Sequence, residues 1–222
     1  MKNIMLKFYY NEEELEVGID EVGRGCLSGP IYAAAVIWPK YLRDEKCAMI
    51  KDSKKLSAKK REMLVDFIKK NAIGYSIGIV TEKEIDEINI LQASFKAMHL
   101  AIDGLNIIPE SIIVDGDRFK PYIDKNGDFI THTCITNGDN KYMAIAAASI
   151  LAKVARDNFM KDLSSKYPIL QRYDWINNKG YGTKKHREAI VIYGLSPYHR
   201  KTFGICKKYE VSDDYSNMTV EI

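Results

Sequence analysis

The stretch from residue 143 to residue 163 constrains the fold more than any other part of the sequence, because it has the pattern of one long helix. Its first half is built mainly of small residues, in the order Ala144-Ile145-Ala146-Ala147-Ala148-Ser149-Ile150-Leu151-Ala152. Small side chains allow a helix to approach a sheet closely without leaving voids. The segment therefore predicts a protein in which this helix packs directly on a β-sheet.

The rest of the chain supplies strands and helices in an order that favours a mixed sheet. Apolar or alternating runs of strand length lie at residues 15–19, 31–38, 73–80, 111–114 and 129–134. Ser57, Thr81 and Thr183 are N-cap candidates for helices that end near residues 71, 105 and 193. Strands come first, then alternate with helices, and helices dominate toward the C-terminus. We predict an α/β fold with a mixed central sheet and helices on both faces.

Length and composition narrow the class of protein. A chain of 222 residues, 46% of them hydrophobic, suits one large domain or one domain with a small appendage. No apolar run approaches the roughly 18 residues of a membrane span, and the first residues lack the pattern of a secretory signal. The four cysteines form no CxxC pair and have no histidines at zinc-ligand spacing. We expect a cytoplasmic protein with free thiols and no membrane partner.

The charge is modest overall but unevenly distributed. The net charge is only +3, yet residues 51–62 hold six basic and two acidic residues, and residues 175–208 hold eight basic and one acidic. Segregated basic stretches can attract a polyanion without making the whole protein basic. The alternative interpretation is a pair of solvated helix faces with no ligand.

Acidic residues follow three separate apolar segments. Asp20-Glu21 follows the first predicted strand, Asp115 follows residues 111–114, and Asp139 precedes the long helix. Neighbouring strand residues point to opposite faces, so Asp20 and Glu21 share one site only if the chain turns at Gly23 and Gly25. Clustered carboxylates require a cation, and oxygen ligands favour Mg²⁺ or Mn²⁺. Simpler explanations remain open at this stage, namely a turn at Asp115 and a helix cap at Asp139.

The glycines at positions 23, 25 and 29 have nearly the spacing of a dinucleotide-binding loop. Such a loop must open a helix, but Pro30 and a strand-like run follow here, so we reject that interpretation. A better use is close backbone approach to a sugar-phosphate, with N–H groups turned toward it and Arg24 pairing with a phosphate.

Five ordered motifs resemble the ribonuclease HII family of bacteria, over roughly residues 15 to 204. The first is Asp20-Glu21-Val22-Gly23-Arg24-Gly25 with Ser28-Gly29-Pro30. The others are Asp52-Ser53-Lys54-Lys55-Leu56-Ser57; Val114-Asp115-Gly116; Gly138-Asp139 leading to Ala146-Ala147-Ala148-Ser149-Ile150-Leu151-Ala152-Lys153-Val154-Ala155-Arg156-Asp157; and Gly180-Tyr181-Gly182-Thr183 with His186, completed by His199-Arg200 and Phe203. Family members often have Pro and Ala at Cys26 and Ser28, and Lys at Asn137, which puts details of substrate binding in doubt more than catalysis.

The resemblance implies an RNase H-like fold with a helical C-terminal part. We expect a catalytic domain over residues 1–205 and a tail over residues 206–222. The metal-binding and catalytic residues implied by position are Asp20, Glu21, Asp115 and Asp139, the same acids that the residue pattern indicates. The family also implies that the backbone of Gly23, Arg24 and Gly25 senses a 2′-hydroxyl and that Tyr181 packs on the sugar. The alternative for Tyr181 is a core aromatic.

The resulting hypothesis is an endonuclease that cuts the RNA strand of RNA–DNA hybrids and also cuts 5′ of ribonucleotides embedded in duplex DNA. Two Mg²⁺ or Mn²⁺ ions would act on the phosphate, leaving a 5′-phosphate and a 3′-hydroxyl. Lys54-Lys55 and residues 184–187 would hold the duplex backbone. We expect a monomer whose partner is nucleic acid. Two rivals are an RNase H-fold nuclease or resolvase acting on DNA alone, and a nucleic-acid-binding module without chemistry.

Overall fold

A computed structural model describes residues 6–42, 44–51, 56–216 and 218, so Lys54 and Lys55 lie outside the described residues. Within these residues six strands form one mixed sheet, in the order β3-β2-β1-β4-β6-β5. The strands are β1 (Glu16–Val22), β2 (Ile31–Ile37), β3 (Gly74–Val80), β4 (Ser111–Asp115), β5 (Tyr122–Ile123) and β6 (Phe129–Ile135). β1 runs antiparallel to β2 and parallel to β4, β4 runs parallel to β6, and β5 is antiparallel to β6. The predicted mixed sheet is confirmed.

Five α-helices lie between and after these strands in the described part of the chain. They are α1 (Ala58–Asn71), α2 (Glu82–Asp103), α3 (Met143–Lys166), α4 (Trp175–Asn178) and α5 (Lys184–Tyr193). The predicted caps are confirmed, because the side chains of Ser57 and Thr183 accept hydrogen bonds from the N–H groups of Lys60 and His186. Thr81 and Glu84 form the predicted capping box, each side chain accepting from the other's backbone N–H. None of these helices combines the length and apolar character that a membrane span requires.

The small residues of α3 do allow the close packing that the sequence predicts. A Cβ atom built on Gly18 of β1 would lie 2.5 Å from backbone atoms of Ala144 and Ile145. Ala144 to Ala148 are all buried, and so is every residue of β2. The close approach therefore depends on glycine in the strand as well as alanine in the helix.

Two features of the described chain differ from the sequence-based expectation. α2 is interrupted at Asn89, which has a left-handed φ of 66° and whose side chain accepts hydrogen bonds from the N–H groups of Leu91 and Gln92. Asn tolerates positive φ and caps helices well, so one helix ends and another begins there. β5 was not predicted, because two residues are too short to show a periodic pattern.

The chain divides into two compact units. The first, called here the sheet unit, comprises Met1–Val22, Tyr32–Ile79 and Ser94–Val154, and its core includes Ile68, Ile113 and the alanines of α3. The second, called here the helical unit, comprises Gly23–Ile31, Val80–Ala93 and Ala155–Ile222, and its core includes Tyr173, Trp175 and Tyr198.

Candidate active site

Asp20 occupies a buried position in the middle of the sheet unit. It lies inside β1, paired with Ala34 of β2, and is only 7% exposed. The expectation that Asp20 and Glu21 follow the end of the first strand is wrong, since the strand continues to Val22. The additional pairing of Glu21 with Ala33 and of Val22 with Tyr32 extends the strand past the acids. Chain reversal thus begins only after both carboxylates.

The pKa of Asp20 is raised well above its ordinary value. Burial is the main cause, followed by the negative charges of Glu21, Asp115 and Asp139, while a hydrogen bond from Ser149 acts in the opposite direction. All four predicted acids of the sheet unit are therefore close enough to interact electrostatically.

Asp115 ends β4, which lies beside β1 in a parallel register. Its Oδ1 accepts a hydrogen bond of 2.6 Å from the N–H of Gly138. A Cβ on Gly138 would lie 2.6 Å from Cδ1 of Ile145, so a larger residue there would require the end of the Ile145 side chain to move. The hydrogen bond holds the turn that carries Asp139 against the end of β4.

Asp139 lies in the short 3₁₀ turn Gly138–Asn140 and is 6% exposed. Its Oδ1 accepts a hydrogen bond of 2.8 Å from the side-chain amide of Asn140. The long helix begins only at Met143, so the alternative in which Asp139 caps that helix does not describe the structure.

The donor set of the four acids fits a hard divalent cation, because every candidate ligand atom is a carboxylate oxygen. Among the described residues, no three acid, histidine or cysteine side chains stand as a ready-made metal cluster. Oδ1 of Asp20 and Oδ1 of Asp115 are instead occupied by the N–H groups of Glu21 and Gly138. The carboxylate of Asp20 also accepts a hydrogen bond from the side chain of Ser149.

The loop that follows β1, residues 23–30, belongs to the helical unit and is called here the glycine loop. Gly23 is buried with a left-handed φ of 99°, whereas Arg24 and Gly25 are exposed. A Cβ on Gly23 would lie 2.3 Å from Nε of Arg156, so this position combines a positive φ with a close approach.

Two fully buried arginines hold the backbone of this loop. Arg156 donates from Nε to the carbonyl of Pro30 at 2.9 Å and from Nη2 to that of Ser28 at 3.0 Å. Arg200 donates from Nε and Nη2 to the carbonyl of Gly29 and from Nη1 to that of Arg24 at 3.1 Å. Both arginines lie within the motifs of the sequence, but their residue pattern alone predicts no role for them. The available signal was Arg156 itself, a charged residue that follows the mostly small and apolar residues 143–152 on the same helix.

Tyr181 is 39% exposed, so the alternative of a core aromatic does not describe it. It forms an isolated β-bridge with Cys26, next to the glycine loop. Burial is the main cause that raises the pKa of its hydroxyl to about 12, and the neighbouring Cys26 adds to this effect. The side chain of Tyr181 is thus partly exposed, while its backbone pairs with that of Cys26 in the loop.

A buried pair of histidines supports the Tyr181 backbone. His186 Nδ1 donates to the carbonyl of Tyr181 at 3.0 Å, because a carbonyl can only accept. His199 Nδ1 accepts from the N–H of Ser196, so its Nε2 carries the proton and donates to His186 Nε2 at 3.0 Å. Trp175 Nε1 donates to the same His186 nitrogen. Burial lowers the pKa of both imidazoles, and His186 further lowers that of His199. Both rings are neutral in this network.

The basic residues that were predicted to hold a duplex lie on the surface where they are described. Lys184, Lys185 and Arg187 are exposed on α5 of the helical unit. Nζ of Lys184 lies 3.8 Å from Oε1 of Glu188, and the two residues form an exposed pair at the i,i+4 spacing of a helix.

Known proteins share both the sequence and the fold. The profile of the family described as Ribonuclease HII matches residues 17–206. The Ribonuclease HII of Bacteroides thetaiotaomicron is 51% identical over 201 residues, which cover 90% of this chain and 95% of that protein. The ribonuclease H2 structure from Pyrococcus horikoshii OT3 is similar with a TM-score of 0.66 and 29% identity, covering 87% of this chain and 95% of that one. The structure of Bst-RNase HIII in complex with Mn²⁺ shares the fold, with a TM-score of 0.61, 19% identity and coverage of 92% and 70%.

The sheet, its flanking helices and these neighbours define a ribonuclease H-like α/β fold, as predicted. The chain belongs to the ribonuclease HII family. It is accordingly a hydrolase and an endonuclease that cuts the RNA strand of RNA–DNA hybrids, in a family that depends on divalent metal ions.

Proposed function

We propose that the chain also cuts on the 5′ side of ribonucleotides embedded in duplex DNA, leaving a 5′-phosphate and a 3′-hydroxyl, with two Mg²⁺ or Mn²⁺ ions in its active site. The observation that carries this proposal is the buried carboxyl of Asp20, whose pKa is raised by burial and by Glu21, Asp115 and Asp139. Such a concentration of acids is unfavourable unless cations neutralise it. Two-ion sites suit phosphodiester hydrolysis in particular.

Asp20, Glu21, Asp115 and Asp139 would hold the ions. When bound, these ions supply an activated water and stabilise the charge on the leaving oxygen. The hydrogen bond from Ser149 favours the ionised form of Asp20, and the N–H of Gly138 holds the Asp115 carboxylate at the end of β4. The protein therefore contributes pre-positioned carboxylates on strand and turn backbones.

Recognition of the ribose is assigned to the residues that follow Glu21 along the chain. The backbone of Gly23, Arg24 and Gly25 would contact the 2′-hydroxyl, the group that distinguishes RNA from DNA. The exposed part of the Tyr181 ring would pack on the sugar. Lys54 and the basic residues of α5 would bind phosphates of the duplex.

The test of the metal site is Asp115→Asn, assayed on a duplex with one embedded ribonucleotide. Loss of a partner that merely orients a metal ligand costs about 10–100-fold, so loss of a ligand should reduce the cleavage rate by more than about 100-fold. Asp117→Asn is the matched control, since Asp117 lies two residues away and its side chain is 81% exposed. A folded Asp115→Asn protein that cuts at the wild-type rate would remove Asp115 from the site.

Two further measurements separate the proposal from its rivals. A nuclease specific for DNA would cut a duplex of the same sequence without the ribonucleotide, whereas we expect no cutting there. A pure binding module would hold the substrate equally well in EDTA and never cut it in Mg²⁺ or Mn²⁺. Comparing a single-ribonucleotide duplex with a long hybrid in each metal also shows which substrate and ion the enzyme prefers.

A further inference from the structure

The glycine loop exposes Arg24 and Gly25, and two buried arginines bind its backbone carbonyls. We propose that Arg156 and Arg200 are positioning residues for ribose specificity, holding the loop so that its backbone N–H groups are presented to the 2′-hydroxyl. This inference rests on the proposed function of Gly23, Arg24 and Gly25. It assigns a role to two residues that never touch the substrate in this scheme.

The hydrogen bonds of the two guanidiniums indicate that these groups position the backbone. In the described part of the chain their six bonds all go to backbone carbonyls, those of Arg24, Ser28, Gly29, Pro30 and Lys179. Both side chains are fully buried. Burying a charge is unfavourable, and an apolar side chain of similar volume would fill the same space without that cost. Holding several carbonyls at once is the property that an apolar residue cannot supply.

The planarity of the peptide bond transmits this constraint to the exposed side. In a trans peptide the C=O and the following N–H point in opposite directions. Arg156 binds the carbonyl of Ser28. The N–H of the same peptide, that of Gly29, donates to a different group, the carbonyl of Tyr198, at 2.8 Å. Arg200 binds the carbonyl of Arg24 in the same way, so the N–H of Gly25 points away from the buried guanidinium. Gly25 is exposed, and a Cβ there would meet nothing within 4 Å.

Arg200 is itself anchored by the segment that follows it. The carboxylate of Asp86 accepts hydrogen bonds from the N–H groups of Lys201 at 2.7 Å and of Thr202 at 3.0 Å. Asp86 thus fixes the backbone next to Arg200 without contacting the glycine loop through these bonds. This arrangement provides a milder way to disturb Arg200 than replacing it.

The experiment uses Arg156→Lys and Arg200→Lys, which keep the positive charge but lose the planar fork of donors. Single-turnover cleavage is measured on two duplexes that differ only at one sugar, which carries either a 2′-hydroxyl or a 2′-fluorine. The ratio of the two rates reports recognition of the hydroxyl and does not depend on the fraction of active enzyme. We expect this ratio to fall about 10- to 100-fold, the effect typical of misplacing a binding group by about 1 Å.

Arg172→Lys is the matched control. Arg172 lies in the same unit and also uses several donors, but it binds Asp214 and Tyr215 rather than the glycine loop. Its lysine variant should retain the wild-type ratio even if the protein becomes less stable. If the buried lysine variants do not fold, Asp86→Asn replaces them, with a smaller decrease of the ratio expected.

The outcomes separate this inference from the function on which it rests. A wild-type ratio near one would contradict ribose recognition itself. A large wild-type ratio that both folded lysine variants retain, or that a folded Asp86→Asn retains where they do not fold, would overturn the role of the arginines alone. A ratio that falls as far in Arg172→Lys would show that the decrease is not specific to the arginines that bind the glycine loop, and would also overturn their role.

Discussion

The buried ionisable groups among the proposed metal ligands, in the sheet unit, differ from those beside the glycine loop, in the helical unit. In the sheet unit they are acids, Asp20 and Asp139, each less than 10% exposed. In the helical unit, around the glycine loop and Tyr181, they include Arg156, Arg200 and a pair of neutral histidines. Groups of both kinds have hydrogen-bond partners within their own unit, but the acids also repel one another.

This difference indicates two ways in which a buried polar group can be retained. Asp20 accepts hydrogen bonds from the N–H of Glu21 and from Ser149, yet burial and three neighbouring acids still raise its pKa. Under the proposed function a bound cation offsets this repulsion. The arginines are satisfied by the protein itself and act on backbone carbonyls. We infer that the sheet unit supplies reactive side chains, while the helical unit supplies a shaped backbone.

Glycine substitutions sharpen this comparison and give the largest expected effect on stability. Gly18→Ala would place a Cβ 2.5 Å from the backbone of Ala144 and Ile145, which must then move away from β1. Overpacking of this kind costs about 1–3 kcal/mol, measured as the loss of free energy of unfolding in a denaturant titration. Gly25→Ala is the control, because a Cβ at Gly25 meets nothing within 4 Å. It should leave stability nearly unchanged while slowing cleavage at a ribonucleotide.

The reverse pattern would break the comparison. A Gly18→Ala protein as stable as the wild type would mean that α3 does not depend on close contact with β1. A Gly25→Ala protein that cuts at the wild-type rate would mean that the glycine loop does not approach the sugar closely.

The proposed ligands and the glycine loop differ in how far the sequence alone could predict them. The four acids could be predicted as candidate ligands because each stands next to an apolar run. The small residues of the long helix predicted its contact with a sheet. The conformation of the glycine loop was not visible, because Arg156 acts on Pro30 from 126 residues further along the chain. No local pattern encodes a contact of that separation. The break at Asn89 was missed for the opposite reason, since one residue interrupts an otherwise helical pattern.

The extent of the first strand illustrates a further limit. A pair of adjacent acids is unfavourable in an ordinary strand, so the sequence placed Asp20 and Glu21 after its end. The pairing of β1 with β2 nevertheless continues through both residues to Val22. Cross-strand hydrogen bonds outweighed the local preference, as tertiary context often does for strands.

A moderate effect is expected from the neutral histidines of the helical unit. Burial lowers the pKa of His186 and His199, whereas in the unfolded chain each imidazole titrates near 6.5. The unfolded state therefore takes up protons first as the pH falls below about 6.5, and the folded state loses stability there. Above that pH the pair makes no pH-dependent contribution. Denaturant titrations between pH 8 and pH 5 should show this decrease.

Variants assign the acid sensitivity to the pair. His199→Gln leaves buried partners such as the N–H of Ser196 less well satisfied, which should cost on the order of 1 kcal/mol at pH 8. It should also show a shallower decrease toward pH 5 than the wild type. The control is His99→Gln, which replaces a histidine of the sheet unit outside this pair. Equal slopes for wild type and His199→Gln would show that the acid sensitivity arises elsewhere.

The smallest expected effect concerns the surface of the helical unit, where binding depends on charge rather than on a fixed geometry. If the exposed Lys185 of α5 contacts a phosphate, Lys185→Ala should reduce the slope of log Kd against log salt concentration by about one. Lys125→Ala, an exposed lysine of the sheet unit, is the control and should leave the slope unchanged. Fluorescence anisotropy with a labelled duplex in Ca²⁺ measures both slopes. An unchanged slope for Lys185→Ala would leave α5 outside the duplex contact and restrict the role of the helical unit to its shaped backbone and Tyr181.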